Sequence, residues 1–172
     1  MDNAALLQRI GSQFPSAILA QNEFRGDLSL TIHRDSLLDV ARLLYAEPAL
    51  AFTFLENLCG VDYLGRDPRF EVVYHLLSIT NGFRCCLKVG APEADPTVPS
   101  VTSVWATANW HEREAFDLLG ILFAGHPSLD RILLPVDWEG HPLRKDVPLG
   151  NEEVAFSINR DRIYAQKPFA RQ

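Results

Sequence analysis

The chain has 172 residues, of which 47% are hydrophobic and 22% charged, and its net charge is −6. This length and composition predict one globular domain of ordinary size with an adequate core and room for an extension. The negative charge argues against nucleic-acid binding, and the absence of an 18-residue apolar run argues against a membrane-spanning helix. The N-terminus is acidic at Asp2 and has no long apolar stretch, so we expect no secretory signal and a cytosolic protein.

The elements predicted from the first half of the chain alternate between helix and strand. A helix is expected over residues 4–14, ended by Gly11 and Pro15, and residues 17–23 are expected to form a hairpin with a strand over residues 28–33. Asp35 is placed to cap a second helix, which carries apolar residues from Leu37 to Tyr45.

Three further strands are predicted in the middle of the chain. They cover Phe52–Asp62, Phe70–Ile79 and Phe83–Val89, with Asn81-Gly82 as a tight turn between the last two. The order α-β-β-α-β-β-β predicts a two-layer α+β domain, in which the helices cover one face of a mixed β-sheet.

Residues beyond this sheet are predicted to form short helices and irregular chain. The prolines of residues 91–100 indicate an irregular connection, and Ser100 is placed to cap a short turn that reaches Trp105. Asn109 is expected to cap a further helix, with Glu112 completing a capping box and Gly120 ending the helix in a left-handed conformation.

The C-terminal part of the chain shows no strong periodicity after Gly125. We therefore divide the protein into an α+β domain over residues 1–124 and an extended partner-binding segment over residues 125–172, because long irregular chain in a compact domain usually has a function. Residues 141–172 hold six basic and four acidic side chains, a balance of +2, which leaves −8 for residues 1–140. A basic tail on an acidic body is typical of a segment that reaches another surface, although a solvated tail has the same composition.

The three cysteines, Cys59, Cys85 and Cys86, fit a reducing compartment and form neither a disulfide framework nor a zinc motif. Cys85 and Cys86 are adjacent in a predicted strand, so their side chains point to opposite faces. We expect buried structural thiols at all three positions. Iron–sulfur clusters normally use four thiolates, which the chain does not have.

The densest charge cluster comprises Glu112, Arg113, Glu114 and Asp117. Consecutive helical residues point about 100° apart, so Glu112 and Glu114 cannot converge on one small site. Arg113 and Asp117 are spaced to pair along a helix surface. Three interpretations remain open: a capping acid on a charged helix face, a partner-binding face, and acid–base catalysis with the adjacent His111.

Zinc binding is a weaker alternative for the histidines. The residue four positions after His111 is Ala115, which breaks the spacing of the H-E-x-x-H motif. His126 and His141 both stand in Gly-His-Pro tripeptides, where we expect local hydrogen bonds rather than metal coordination.

Two other features suit a docking surface. Arg144, Lys145 and Asp146 lie between prolines, which present charge at low entropic cost. Trp110 and Trp138 are candidate interface anchors, although either can equally be a core residue.

One long stretch makes the chain resemble a known family. It reads W-H-E-R-E-A-F-D-L-L-G-I-L-F-A-G-H-P-S-L-D-R-I-L-L-P-V-D-W-E-G-H-P-L-R-K-D at positions 110–146, with V-D-Y at 61–63, F-E-V-V-Y-H-L at 70–76 and P-S-V at 99–101 upstream. With these residues the chain resembles the C-subunit family of bacterial complex I, the proton-translocating NADH–quinone oxidoreductase, over roughly Phe52–Asp146.

The resemblance implies a non-catalytic subunit of the peripheral arm, on the cytoplasmic side of the inner membrane. It implies that this chain binds no cofactor, and that iron–sulfur clusters, FMN and quinone lie in neighbouring subunits. The implied partners are the large quinone-site protein of the complex (its D-subunit) and the iron–sulfur proteins (its B- and I-subunits), and the chain would act separately rather than fused to the large one. The interface expected from the matching positions comprises Trp110, Glu112, Arg113, Glu114, Asp117, His126, Arg131, Trp138, His141, Arg144, Lys145 and Asp146.

Other assignments stay open at this point. Similar domains serve a ferredoxin-fed photosynthetic complex and membrane-bound energy-converting hydrogenases. From a different class, a free-standing hydrolase or lyase would use His111 and Glu114 as its catalytic pair.

Overall fold

A computed structural model describes residues 3–148 of the chain. The second half of the predicted C-terminal segment, residues 149–172, therefore lies outside the described residues. The helices and strands, in chain order, are α1 Asn3–Gln13, β1 Ile18–Phe24, β2 Asp27–Ile32, α2 Leu37–Ala46, β3 Phe54–Asp62, β4 Phe70–Ser78, β5 Phe83–Ala91, β6 Thr97–Pro99, α3 Ala108–Leu119 and β7 Leu122–Ala124.

Five of the strands form one mixed sheet in the order β1-β2-β5-β4-β3. β2 and β5 run parallel, and the other neighbouring strands run antiparallel. One face of this sheet is buried: Leu58, Tyr74, Leu87 and Leu30 align across four strands. The helices pack on that face, so the predicted two-layer α+β fold is confirmed.

The boundaries of the predicted strands are close to those observed, because turn residues and alternating apolar residues mark them in the sequence. The turn between β1 and β2 consists of Arg25 and Gly26, which both have positive φ angles of 54° and 91°. Two consecutive residues of this kind form a type I′ turn, which matches the twist of antiparallel strands. Gly82, with φ of 61°, occupies the predicted turn before β5.

A second, two-stranded sheet was missed in the sequence. β6 pairs in parallel with β7, and Val98 lies opposite Phe123. Each strand has only three residues, which is too short for alternation to be visible in the sequence. The stretch predicted as an irregular connection therefore contains a strand, and this strand ties the chain before α3 to the chain after it.

The predicted helix caps are mostly wrong. Asp35 lies in a 3-10 turn over Arg34–Ser36 and does not cap α2, whose N-cap residue is Ser36. α3 begins at Ala108, before Asn109, and its N-cap residue Thr107 makes no side-chain capping bond.

The other predicted helix boundaries agree with the structure to within one residue, except that Gly11 does not end a helix. α1 runs through Gly11 to Gln13 rather than ending at that glycine. Ser100 Oγ accepts a hydrogen bond from the Thr102 N–H at the start of the predicted turn, and Gly120 ends α3 with φ of 73°.

α3 lies against β3 because Gly60 leaves room for it. A Cβ atom at Gly60 would stand 2.6 Å from Leu119 Cδ1 and 2.9 Å from Ile121 Cδ1. The close approach lets Ala115, Leu119 and Ile121 join the core of the main sheet. This contact fixes the position of the helix that carries most of the predicted site.

The cysteines differ from one another in environment. Cys85 is buried and Cys86 half-buried on the opposite face, as their adjacency predicts, but Cys59 is exposed. The prediction of three buried thiols is therefore wrong for Cys59, whose side chain is exposed on the edge strand β3. Within residues 3–148 no helix is both long and apolar enough to cross a bilayer.

A candidate docking surface built from α3 and the segment after it

Residues 125–148, here called the tethered segment, follow β7 and contain no helix or strand. Irregular chain keeps one conformation only when its backbone groups and side chains are bonded to something fixed. Side chains of α3, of its C-terminal end and of the β3–β4 corner supply those bonds. The tethered segment is therefore held on the domain by polar contacts rather than by a core of its own.

Asp117 of α3 is the centre of these contacts. Its Oδ2 accepts hydrogen bonds from three consecutive backbone N–H groups, those of Ile132, Leu133 and Leu134, at 2.8–3.0 Å. Its Oδ1 accepts a hydrogen bond of 2.7 Å from Arg131 Nη1. Asp117 has no exposed surface, and this carboxylate fixes the backbone of residues 131–134.

The ionisation of Asp117 follows from the same bonds. Burial by itself raises the pKa of its carboxyl, but the three N–H donors and the Arg131 guanidinium favour the charged form more strongly. The pKa of Asp117 is therefore lowered to about 2. The predicted surface pair between Arg113 and Asp117 is wrong, because Asp117 is turned inward to Arg131.

Arg113 and the two Gly-His-Pro histidines add further contacts between α3 and the tethered segment. Arg113 Nε donates to the Asp130 carbonyl at 3.0 Å. His126 Nε2 lies 3.2 Å from the Asn109 carbonyl, and His141 Nδ1 lies 2.9 Å from the Asp117 carbonyl. The predicted local hydrogen bond is found at His126, whose Nδ1 also accepts from the Ser128 N–H at 3.0 Å, whereas the bond of His141 joins residues 24 apart in the chain.

Arg144 holds the tethered segment to the C-terminal end of α3. Its Nε donates a hydrogen bond of 2.7 Å to the Leu119 carbonyl, which has no partner within the helix, and its guanidinium lies 5.2 Å from the centre of the Phe70 ring. Gly120 allows this approach, since a Cβ there would stand 2.4 Å from Arg144 Nη2. Arg144 is thus a structural contact of the domain as well as a predicted interface residue.

Arg69 anchors the far end of the tethered segment. Only 3% of its side chain is exposed, and it donates two hydrogen bonds of 2.9 Å to Asp62 and bonds of 2.8 and 3.2 Å to Asp146. The exposed carboxylate of Glu93 also pairs with it. Hydrogen bonding to Arg69 lowers the pKa of both Asp62 and Asp146, so the cluster is charged at neutral pH.

Glu112 holds the chain in front of α3. Its Oε1 accepts a hydrogen bond of 2.8 Å from the Val101 N–H, and its Oε2 accepts one of 2.7 Å from Ser100 Oγ. Burial of the carboxyl raises its pKa to about 7, despite these two donors. The predicted capping box is therefore replaced by a longer-range contact, in which Glu112 joins α3 to the loop after β6.

Apolar side chains project outward from this polar framework. Trp110 is 64% exposed, Val136 94% and Trp138 47%, which excludes the core alternative for both tryptophans. Leu133, Leu143 and Val147 are also exposed. We define the docking surface as these six side chains. Apolar side chains held outward by a bonded backbone are typical of protein interfaces.

The structure divides the predicted interface residues into three groups by their exposure. Trp110, Glu114, Trp138, Lys145 and Asp146 are exposed, whereas Glu112 and Asp117 are buried and can only act on a partner through the segments that they hold. The rest are partly buried and bond within the domain, and they are Arg113, His126, Arg131, His141 and Arg144.

Sequence reasoning missed the anchor at Arg69 and the exposed aliphatic residues of the tethered segment, which are Leu133, Val136, Leu143 and Val147. Arg69 follows the cis peptide bond between Asp67 and Pro68, and its main partner Asp62 stands in the V-D-Y stretch. The burial of Arg69 cannot be recognised from the sequence, because Glu93 and Asp146, which complete its ion pairs, are 24 and 77 residues further along the chain. The exposure of Leu133 and Val136 has no signal in the sequence, because the backbone of this stretch is fixed by Asp117, which is distant in the chain.

A shallow pocket of about 210 Å³ lies between β3 and α3 and is lined by Cys59, His111 and Glu114. Burial, and then the negative charge of Glu114, raise the pKa of the Cys59 thiol, which disfavours the thiolate required of a nucleophile. Among residues 3–148, no group of three or more His, Cys, Asp or Glu side chains is placed to hold a metal ion.

Related sequences match this chain over its whole length. The family described as "Respiratory-chain NADH dehydrogenase, 30 Kd subunit" matches residues 30–153. A protein of Roseiflexus sp. (strain RS-1), named as the C-subunit of NADH-quinone oxidoreductase, is 64% identical over all 172 residues and 99% of its own length. A protein of the same name from Herpetosiphon aurantiacus is 56% identical, again over the whole chain and 99% of its own length.

Solved structures share the fold. A trypsin-resistant fragment (1-134) of Nqo5 is 34% identical, with a TM-score of 0.61 over 72% of this chain and 99% of the fragment. A chain of the membrane-bound sulfane sulfur reductase, an archaeal respiratory membrane complex, has a TM-score of 0.72 over 85% of both chains. Its sequence identity is 22%, so it supports the fold alone.

Proposed function

Because this chain belongs to the family of the 30 kDa subunit of respiratory-chain NADH dehydrogenase, the C-subunit family of NADH-quinone oxidoreductase, we propose that it is a non-catalytic docking protein of that complex. In this role the docking surface lies against the large quinone-site protein, the D-subunit, and the iron–sulfur B- and I-subunits are neighbours. The chain itself binds no cofactor. Electrons pass from NADH through FMN and iron–sulfur clusters to quinone in the adjacent subunits, on the cytoplasmic side of the inner membrane.

The main support for this proposal is the hydrogen-bonded backbone of the tethered segment, which bears exposed apolar side chains. The N–H groups bonded to the buried Asp117 carboxylate and the Arg69–Asp146 anchor fix the chain on either side of the exposed Val136 and Trp138. Exposing these side chains is unfavourable for an isolated protein. A partner surface that covers them recovers this free energy, and a preformed backbone lowers the entropy lost on binding.

The proposal is tested by purifying the NADH–quinone oxidoreductase from membranes with an affinity tag on this chain. We expect the quinone-site protein and the two iron–sulfur proteins to co-purify in equal amounts, with NADH:quinone reductase activity in the same fraction. Recovery of the tagged chain alone, beside an intact complex without it, would contradict the proposal.

The same preparation distinguishes the equivalent subunit of another redox complex. A co-purifying large subunit that binds nickel identifies a hydrogenase-type complex, and reduction by ferredoxin instead of NADH identifies a ferredoxin-fed one. Turnover of a substrate by the purified single chain, abolished by His111→Ala without unfolding, would instead establish the hydrolase alternative.

A further inference from the structure

β1 is one of the two edge strands of the main sheet, and no strand among residues 3–148 pairs with its outer side. In the two-residue hairpin with β2, Phe24 and Asp27 close the turn as a hydrogen-bonded pair. The pairs then alternate, so the backbone N–H and C=O groups of Gln21 and Glu23 point away from β2. No hydrogen bond to these outward groups is present among residues 3–148.

β1 also lacks most of the features that protect a sheet edge. Its sequence, I-L-A-Q-N-E-F, contains no proline, lysine or arginine, and Glu23 is its one charged residue. A bulge between Ile18 and Ala20 interrupts the first residues only, so the ladder from Ala20 to Phe24 is regular. Six of its seven residues are exposed, including Leu19 at 61% and Phe24 at 65%.

The opposite edge of the sheet is arranged differently. β3 packs along α3, and residues 57–60 of β3 share a pocket with Leu143 of the tethered segment. The two edges therefore differ within residues 3–148: β3 is flanked by the chain itself, whereas the outward backbone groups of β1 have no partner in this part of the chain. β1 also borders a groove of about 520 Å³ on the uncovered face of the sheet, which Asn22 and Phe24 line.

We propose that β1 is a second docking site, at which an extended segment of a neighbouring subunit adds as a sixth strand. The inference rests on the proposed function, because it needs the assembled complex. The segment has a basic side chain next to Glu23 and apolar side chains next to Leu19 and Phe24. Main-chain hydrogen bonds to Gln21 and Glu23 supply affinity, and these side chains supply specificity.

Charge favours a basic partner segment over a second copy of this chain. Residues 1–140 carry a net charge of −8, and β1 itself contributes one negative and no positive side chain. Two copies joined through β1 would bring two acidic bodies together, which is unfavourable at low ionic strength. A basic strand is attracted to this negative charge instead, so its binding beside β1 is electrostatically favourable.

The first test is hydrogen–deuterium exchange of the peptide that spans residues 18–24, in the free chain and in the purified complex. We expect exchange at Gln21 and Glu23 to be slowed at least about tenfold on assembly. Equal exchange in both states, in a complex that contains the chain, overturns the strand addition and leaves the docking function standing. Absence of the chain from the complex overturns both.

Hydrogen exchange in the free chain distinguishes two other partners for the outer side of β1. Protection that grows as the free chain is concentrated indicates pairing of two copies. Protection that is already present in the dilute free chain, and is lost when residues 149–172 are deleted, indicates pairing with the chain's own C-terminal segment. Either outcome overturns the proposed partner strand.

A matched pair of variants tests the backbone hydrogen bond itself. Gln21→Pro removes an outward N–H that β2 does not use, and Gln21→Ala removes the same side chain but keeps that N–H. We expect Gln21→Pro to weaken incorporation into the complex about fivefold relative to Gln21→Ala, with similar melting temperatures for the two free chains. Equal incorporation of the two variants contradicts the proposal.

Discussion

Two buried carboxylates of α3, Glu112 and Asp117, hold the segments on either side of the helix, and their environments drive their pKa values apart. Glu112 is fully buried and has two hydrogen-bond donors, and burial raises its pKa to about 7. Asp117 has four donors, one of them a guanidinium, and its pKa is lowered to about 2. The sequence marks both as charged helix residues and cannot show this difference, because every donor is distant in the chain.

We predict that Glu112→Gln stabilises the protein at alkaline pH. The pKa of Glu112 is about 7 in the folded protein, against an ordinary value of 4.5. Its favourable contribution to the free energy of unfolding is therefore complete below pH 4.5 and is lost as the pH rises through 7. The amide oxygen of glutamine still accepts the hydrogen bond from the Val101 N–H, and its N–H₂ group donates to Ser100 Oγ, so that no charge is buried. At pH 8.5 the variant should exceed the wild type by up to about 3 kcal/mol in unfolding free energy.

Urea unfolding at pH 5 and pH 8.5 checks this prediction. The difference between variant and wild type should grow with pH, because the wild type alone loses stability through this group. A difference that is constant with pH would show that Glu112 ionises at its ordinary pKa.

We predict that Asp117→Asn destabilises the domain by about 3 kcal/mol at pH 7, since it leaves Arg131 without its charged partner and replaces an acceptor by an N–H₂ group. Because the folded-state pKa is depressed, the wild-type advantage exists above pH 3.8 and disappears as pH falls to about 2. Chemical unfolding of the wild type and the variant at pH 7 and pH 2.5 measures this difference in unfolding free energy. Asp137→Asn, an exposed change in the tethered segment, is the control and should change stability by less than about 0.5 kcal/mol.

At the scale of elements, the sheet and its helices follow from the sequence, whereas the connections around α3 do not. Alternating apolar residues and the turns at Gly26 and Gly82 define β1 to β5. β6 and β7 form only because residues far apart in the chain meet, and the predicted caps at Asp35 and Asn109 are wrong because Asp35 lies in a 3-10 turn and α3 begins at Ala108. Local patterns therefore predict the layers, and long-range contacts determine how the site is held.

We predict opposite effects from the same substitution at two glycines. Gly60→Ala places a methyl group against Leu119 and Ile121, so it should push α3 from β3 and cost about 1–3 kcal/mol. Gly11→Ala, in α1 with nothing near its Cβ position, should stabilise by about 0.5–1 kcal/mol. Thermal unfolding measures both, and a Gly60→Ala variant as stable as the wild type would show that α3 is not packed this closely.

We predict that Asp146→Asn loosens the end of the tethered segment without unfolding the sheet. The amide weakens the bond to Arg69, whereas the buried bond between Arg69 and Asp62 remains. Cleavage by trypsin after Arg144 and Lys145 should become roughly fivefold faster, with little change in melting temperature. Glu139→Gln, an exposed change nearby, should leave the cleavage rate unchanged, and equal rates for both variants would show that Asp146 does not anchor the segment.

At the scale of the whole molecule, the domain presents apolar side chains on a backbone that its own polar groups have fixed. The sequence identified the region, because Trp110 and Trp138 lie in the stretch that resembles the family. It did not separate the residues that hold the surface, such as Asp117 and Arg144, from those that face outward. A double charge reversal at Arg144 and Lys145 is therefore a poor test of docking, since Arg144 caps the end of α3.

The most direct measurement is the incorporation of Val136→Asp into the NADH–quinone oxidoreductase purified from membranes, compared with wild type and with Ile79→Asp. Both residues are exposed apolar side chains, at 94% and 66%, but Ile79 lies in the β4–β5 turn, outside the docking surface. All three free chains should unfold at similar temperatures. We predict at least about tenfold less Val136→Asp in the complex, because a buried unpaired carboxylate opposes binding, and normal incorporation of Ile79→Asp. Equal incorporation of all three would contradict the assignment of the docking surface.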